Sequence, residues 1–157
     1  EVFSFEYGVF PKMLERGDRF FGFPDDSYWL DVGNPERYLQ AHQDLINGRV
    51  SGFGGKKDSR SLQLAEDAFV CPVSVIGNNC VVGNGVRIEN SVIGNSVTIE
   101  NGAIIVDSVI HNGTKIGSEA TITGAIIGRD CFIGPKSRVS RGNVLGDQCI
   151  LTEYSQV

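Results

Sequence analysis

At 157 residues and 41% hydrophobic content, the chain is long enough to bury a core as one ordinary domain or two small ones. With 19 acidic against 14 basic residues, a net charge of -5 excludes a broad electrostatic surface for nucleic acid. No apolar run approaches the roughly 20 residues that span a bilayer, and EVFSFEYGVF carries neither a basic region nor a cleavage site, so a cytoplasmic protein without a membrane partner is expected. The chain begins at Glu1 rather than a methionine, on residues that read as the middle of a packed element, and it is expected to be part of a longer protein.

Residues 1 to 48 carry helix and strand signals. Ser4 is placed to cap a short helical segment, Pro11 restarts it as a first-turn residue, and Gly17 stops it. RFFGF, residues 19–23, and SYWLDV, residues 27–32, are aromatic-rich strand candidates joined by a turn at Pro24, Asp25 and Asp26. Asn34, Pro35 and Glu36 then supply a capping side chain, a preset φ and a first-turn acid, so a helix is predicted from Pro35 to Asn47, ending at Gly48. Its apolar stripe is Tyr38, His42 and Leu45, with Leu39 and Ile46 alongside, while Tyr28 and Trp29 are expected in the core.

Residues 49–63, RVSGFGGKKDSRSLQ, have the composition of a linker. GFGGKKD is not a phosphate loop, because no glycine stands five residues before Gly55 and Lys57 occupies the place of the magnesium-binding serine or threonine.

From Leu64 to about residue 151 the chain repeats: VCPVSV, IGNNCV, VGNGVR, IENSV, IGNSVT and so on, each unit led by an aliphatic residue and often followed by glycine. Units of five begin at Ile88, Ile105 and Ile122, and Val139 follows at the same interval of 17 residues. Three units therefore make one turn of a triangular prism, with one corner a residue short. The lead side chain fills the prism, and the fifth residue of each six stays small: Ala68, Ser74, Cys80, Val86, Val97, Ala103, Thr114, Ala120, Cys131 and Ser137. Such hexapeptide repeats resemble the left-handed parallel β-helix, whose stacked turns pair as parallel strands. Cys80, Cys131 and Cys149 fall on the small inward position as compact fillers, and no C-x-x-C or nearby histidine suggests a metal. Reduced thiols suit the cytoplasm.

His111, in IHNGTK, is the only histidine in the repeat and stands where glycine is usual. As the general base of an acyl transfer it would need an orienting partner and an acceptor pocket. The sequence displays neither, and a surface histidine is the simpler expectation.

FSFEYGVFPKMLERG followed by SYWLDVGNPERYLQAHQDLINGRV resembles the end of the catalytic domain of sugar-phosphate nucleotidyltransferases, and FP-x-x-L with YW-x-D-x-G-x-P-x-x-Y-L-x-A is most similar to the mannose-1-phosphate guanylyltransferase branch. Members of that branch carry a C-terminal left-handed β-helix. The resemblance implies a mainly β chain: the α/β, Rossmann-like end of a nucleotidyltransferase domain at 1–48, a linker at 49–63, and a left-handed β-helix at 64–157.

It also implies a reaction of nucleoside triphosphate with sugar 1-phosphate, releasing pyrophosphate and, in this branch, giving GDP-mannose. The family's W-x-D-x-G aspartate is one of two carboxylates that hold the catalytic Mg²⁺, and it matches Asp31. Gly33 would give backbone clearance near substrate, and Glu6 would help shape the sugar pocket, although a first-turn helix acid is the simpler account of Glu6.

The family's glycine-rich nucleotide loop, phosphate-binding lysine and first metal aspartate have no counterpart here, so the chain alone is expected to be inactive. The β-helix is expected to assemble a homo-oligomer or to regulate. Alternatives are a glucose-1-phosphate nucleotidyltransferase (thymidylyl, uridylyl or adenylyl), a hexapeptide acyltransferase, and a non-catalytic regulatory paralogue.

Overall fold

The computed structural model describes residues 4–51 and 61–157. Most of the linker and the GFGGKKD segment lie outside the described residues, and no statement is made of their structure.

The described solenoid contains 16 short strands in three parallel sheets. The first face holds six, from Gln63–Leu64 to Ile150–Leu151; the second holds five, from Phe69–Val70 to Arg138–Val139; the third holds five, from Val75–Ile76 to Val144–Leu145. Successive strands of the chain lie on successive faces, so the sheets form the three sides of a β-helix of about five turns. Register follows the 17-residue interval: Ile88 lies over Ile105, Ile105 over Ile122, and Ile122 over Val139. The interval is 18 at both ends: Leu64 pairs with Val82 and Val70 with Ile88 in the first turn, and Ile126 pairs with Val144, an extra residue being taken up between Ser140 and Asn143.

The interior is a stack of lead residues. Ile88, Ile93, Ile99, Ile105, Ile110, Ile116, Ile122, Ile127 and Ile133 are all essentially inaccessible, each contributing about 1.5–3 kcal/mol by burial. The fifth-residue positions from Ser74 to Ser137 are buried as well, Ala68 and Cys149 are half-buried, and Leu64 at the entry is exposed.

At the short corners a serine assumes the inward role. Ser91 Oγ donates to Glu89 O at 2.6 Å and accepts from the amide of Ser108 at 3.1 Å, while Ser108 Oγ donates to Val106 O at 2.7 Å and accepts from the amide of Ala125 at 3.2 Å. This ladder satisfies the buried hydroxyls. Cys80 and Cys131 each direct Sγ at a carbonyl of the next turn, Gly94 and Gly146, at 3.1 Å, and burial pushes both thiols above the ordinary range. All four cysteines are free.

Ahead of the solenoid, Ser4 accepts from the amide of Tyr7, and the chain winds through a wide π turn, Phe5–Val9, into α1, Phe10–Glu15. Pro11 removes an amide from the ordinary ladder there, and the preceding turn bonds in the longer register instead, with Val9 N on Ser4 O and Phe10 N on Phe5 O. Gly17 follows with φ +69°. A second helix, α2, spans Pro35–Ile46.

The two strands expected at 19–23 and 27–32 are a correction: both segments are irregular and pair with no other strand among the described residues. A strand exists by its ladder, and no described segment offers these residues an edge. Three of their aromatic side chains are consequently bare, with Phe21 at 83%, Phe23 at 91% and Trp29 at 82% exposure, so Trp29 is not in a core of this chain, and Tyr28 is only partly covered.

Candidate functional site

Helix α2 is fixed first by its own start. Asn34 Oδ1 accepts from the amide of Arg37 at 2.8 Å, Pro35 occupies the first turn, and Gly48 closes the far end with φ +72°. Its seat is the third face of the solenoid, whose outward column reads Val75, Val92, Val109, Ile126, Val144. Val109 is 3% and Ile126 8% exposed despite pointing away from the prism. Hydrogen bonds identify what covers them: Gln43 Nε2 donates to Asn90 O at 2.7 Å, Asn47 Nδ2 to Asn90 Oδ1 at 3.1 Å, and the Tyr38 hydroxyl lies 3.2 Å from His111 Nε2.

The stripe residues Tyr38, Leu39, His42, Leu45 and Ile46 are half-buried, as an amphipathic helix on an aliphatic sheet requires. The most buried residue of α2 is Asp44, which the apolar pattern did not reveal. Tyr28 donates its phenol to Asp44 Oδ2 at 2.8 Å, and Arg49 Nη1 donates to Oδ1 at 2.8 Å. The Tyr28 hydrogen bond, aided by Arg49 and opposed by burial, holds the Asp44 carboxyl below its usual pKa; the same bond raises that of Tyr28. Segment 28–34 is thus tied to α2 at both ends, through Tyr28 and through the Asn34 cap.

Between those ties stands Asp31, exposed, outside any helix or strand. A side chain placed on Gly33 would meet nothing but the Asp31 carboxylate, at 3.8 and 3.9 Å, so Gly33 leaves the space before that carboxylate open. Glu6 lies in the first turn after the Ser4 cap, exposed, and among the described residues no hydrogen bond or ion pair joins it to Asp31. Among the described residues no three of His, Cys, Asp or Glu converge on one point. Asp31 alone offers one hard oxygen donor, which suits Mg²⁺ in kind but does not make a site by itself.

Two depressions flank α2. One, of about 760 Å³, runs between the helix and the short-corner column, with Leu39, Arg49, Ile126 and Arg141 among its walls. Both guanidiniums are already engaged, Arg49 by Asp44 and Arg141 Nη2 by Asp107 at 2.8 Å. The other, of about 460 Å³, is bordered by Val32, Gly33, Pro35, Tyr38, His111 and Ile126. It joins the chain immediately after Asp31 to a side chain of the β-helix. His111 is therefore not a free surface histidine: burial, with Arg129 and His42 nearby, lowers its pKa, and Asp147 acts in the opposite sense. Its glycine-breaking position was the only sign in the sequence.

Comparisons with known proteins bear on this arrangement. A mannose-1-phosphate guanylyltransferase of Mycobacterium tuberculosis is 37% identical over 87 residues, covering 54% of this chain and 24% of that protein. A glucose-1-phosphate adenylyltransferase of Clostridium botulinum is 31% identical over 93 residues, covering 55% and 22%. The chain thus spans about a quarter of the length of these relatives. A solved GDP-perosamine N-acetyl transferase from Caulobacter crescentus, in complex with CoA and GDP-perosamine, overlaps 93% of this chain and 67% of its own at 19% identity and a TM-score of 0.47. Residues 56–157 match the model of the EIF2B subunit epsilon LbH domain, the left-handed β-helix that the register above describes, and the chain belongs to that hexapeptide-repeat family.

Proposed function

We propose that this chain is part of a sugar-1-phosphate nucleotidyltransferase, of the mannose-1-phosphate guanylyltransferase kind, that makes GDP-mannose in the cytoplasm. The observation that carries the reading is the Asp31 turn: an exposed carboxylate, with open space over Gly33, held between two ties to α2 and bordered by a bare aromatic surface. Bare aromatics on this scale suit a surface covered by further protein. Similarity to two sugar-1-phosphate nucleotidyltransferases supports the same class.

In the reaction an oxygen of the sugar 1-phosphate attacks the α-phosphorus of the nucleoside triphosphate, a P–O bond forms, and the bond to pyrophosphate breaks. Both reactants are anions. Mg²⁺, when bound, offsets that charge and favours in-line geometry. Asp31 would supply one carboxylate ligand to that ion, and a second would come from protein beyond these residues. Gly33 keeps the approach to Asp31 open, Glu6 borders the sugar, and α2 carries the turn on the β-helix, whose faces assemble copies of the protein.

Acyl transfer is less well served. A general base takes its proton from the substrate, and His111 Nε2 instead lies 3.2 Å from the Tyr38 hydroxyl of the same chain.

The test uses this chain and the longer protein that contains it. The chain alone is expected to release no pyrophosphate from any pairing of nucleoside triphosphate with mannose or glucose 1-phosphate. In the longer protein Asp31→Asn is expected to remove most turnover. An unaffected Asp31→Asn enzyme would overturn the assignment of Asp31, and preference for ATP with glucose 1-phosphate would move the protein to the adenylyl branch.

A further inference from the structure

The chain has two histidines, far apart in sequence, and the fold brings both to Tyr38. His42 Nδ1 lies 2.9 Å from the Tyr38 carbonyl, which can only accept, so Nδ1 carries the proton. The His42 ring packs on that of Tyr38 with centroids 4.3 Å apart. The phenol is thereby aimed across the helix–sheet boundary at His111. The phenol and His111 Nε2 stand 3.2 Å apart, and a neutral imidazole protonated at Nδ1 can accept the phenol's hydrogen bond there.

His111 interrupts a column of glycines, Gly77, Gly94, Gly128 and Gly146, at the corner after the third face. Glycine has a packing reason there: a Cβ on Gly94 would lie 2.8 Å from the backbone of Asn112, and one on Gly128 2.6 Å from that of Asp147. One position of the column instead carries an imidazole, and that imidazole meets the helix that follows Asp31. The depression beside it is walled by Val32, Gly33 and Asn34 on one side and by His111 and Ile126 on the other.

We propose that Tyr38 and His111 are positioning residues, whose hydrogen bond fixes the first turn of α2, and through the Asn34 cap the Asp31 turn, to one turn of the β-helix. The clasp stands on the geometry alone; only its consequence for catalysis rests on the reading of Asp31 above. A solenoid otherwise remote from the chemistry then sets where the Asp31 carboxylate points.

Hydrogen exchange on this chain tests the clasp directly. In Tyr38→Phe and His111→Ala the amides from Val32 to Leu39 are expected to exchange roughly 3- to 10-fold faster, the equivalent of one lost hydrogen bond. His111→Gln, whose amide oxygen can accept from the phenol, recovers most of the protection. Exchange at Lys115–Ile116, inside the solenoid, stays unchanged, which separates undocking from general loss of stability. Equal exchange in all four chains, or equal acceleration across the solenoid, would overturn the clasp.

In the longer protein Tyr38→Phe and His111→Ala are expected to lower kcat several-fold with the nucleotide KM unchanged, and His111→Gln to restore it. If Asp31→Asn abolishes turnover while both clasp variants leave kcat untouched, the coupling to catalysis is overturned although the reading of Asp31 survives. If exchange quickens but Asp31→Asn is fully active, the reading of Asp31 fails and the clasp stands.

Discussion

At the scale of single residues, burial decides what each ionisable group does. His111 is half-buried against Tyr38, faces Arg129, His42 and Asp147, and has its pKa lowered from 6.5 by desolvation first. A depressed histidine pKa means the unfolded chain binds the proton more readily than the folded one. The stability this site contributes is therefore complete above about pH 6.5 and is lost as pH falls from there through the folded-state value. The difference in thermal midpoint between the native chain and His111→Gln should accordingly shrink between about pH 8 and about pH 5. A constant difference would mean that the His111 pKa is the same in the folded and unfolded chains. Asp44 has the ordinary acid sense: its contribution is present above the carboxylate range and disappears only below about pH 3.8. The role of Asp31 was suggested by the sequence through a family motif, whereas Asp44, the most shielded acid of α2, was invisible because its partners Tyr28 and Arg49 lie off the helical pattern.

Among the elements, those with local causes were legible and those with distant causes were not. The start of α2 is written in Asn34, Pro35 and Glu36, and the helix begins and ends as those residues require. Segments 19–23 and 27–32 have strand composition without a partner, and composition alone does not make a ladder. Within the β-helix the second residue of a unit is constrained by the turn above it, not by its own conformation. A Cβ on Gly134 would sit 2.6 Å from the backbone of Glu153, whereas one on Gly146 would meet nothing within 4 Å. Gly134→Ala is expected to cost about 1–3 kcal/mol in urea unfolding through overpacking, while Gly146→Ala is neutral or stabilising by up to about 1 kcal/mol. Two alanines in one motif position with opposite signs would confirm the stacking; equal effects would refute it. Ile122→Ala, by cavity formation at a fully inaccessible lead position, should cost about 2–5 kcal/mol.

For the whole molecule, the solenoid is well buried from about Val82 to Val139 while the N-terminal segment is not. Trp29 is the only tryptophan, so its fluorescence reports that segment without labelling. In this chain alone the indole should emit as a solvated ring and be quenched freely by acrylamide. In the longer protein of the proposed function it should shift to the blue and resist quenching. A solvated Trp29 in both would show that the aromatic surface faces something other than the rest of the same protein, such as a second copy, and sedimentation would then reveal association through it.

The sequence by itself determined the β-helix, the 17-residue interval of its middle turns, its inward residues and the capped helix, because each is set by short-range spacing. It did not determine where α2 rests, that Tyr38 meets His111, or that Trp29 stands bare. Those depend on contacts between residues as much as 73 apart, whose energy comes from burial and hydrogen bonding across elements. Only the tertiary structure brings such residues together, and it joins the Asp31 turn to the β-helix through a histidine that, in sequence, merely broke a row of glycines.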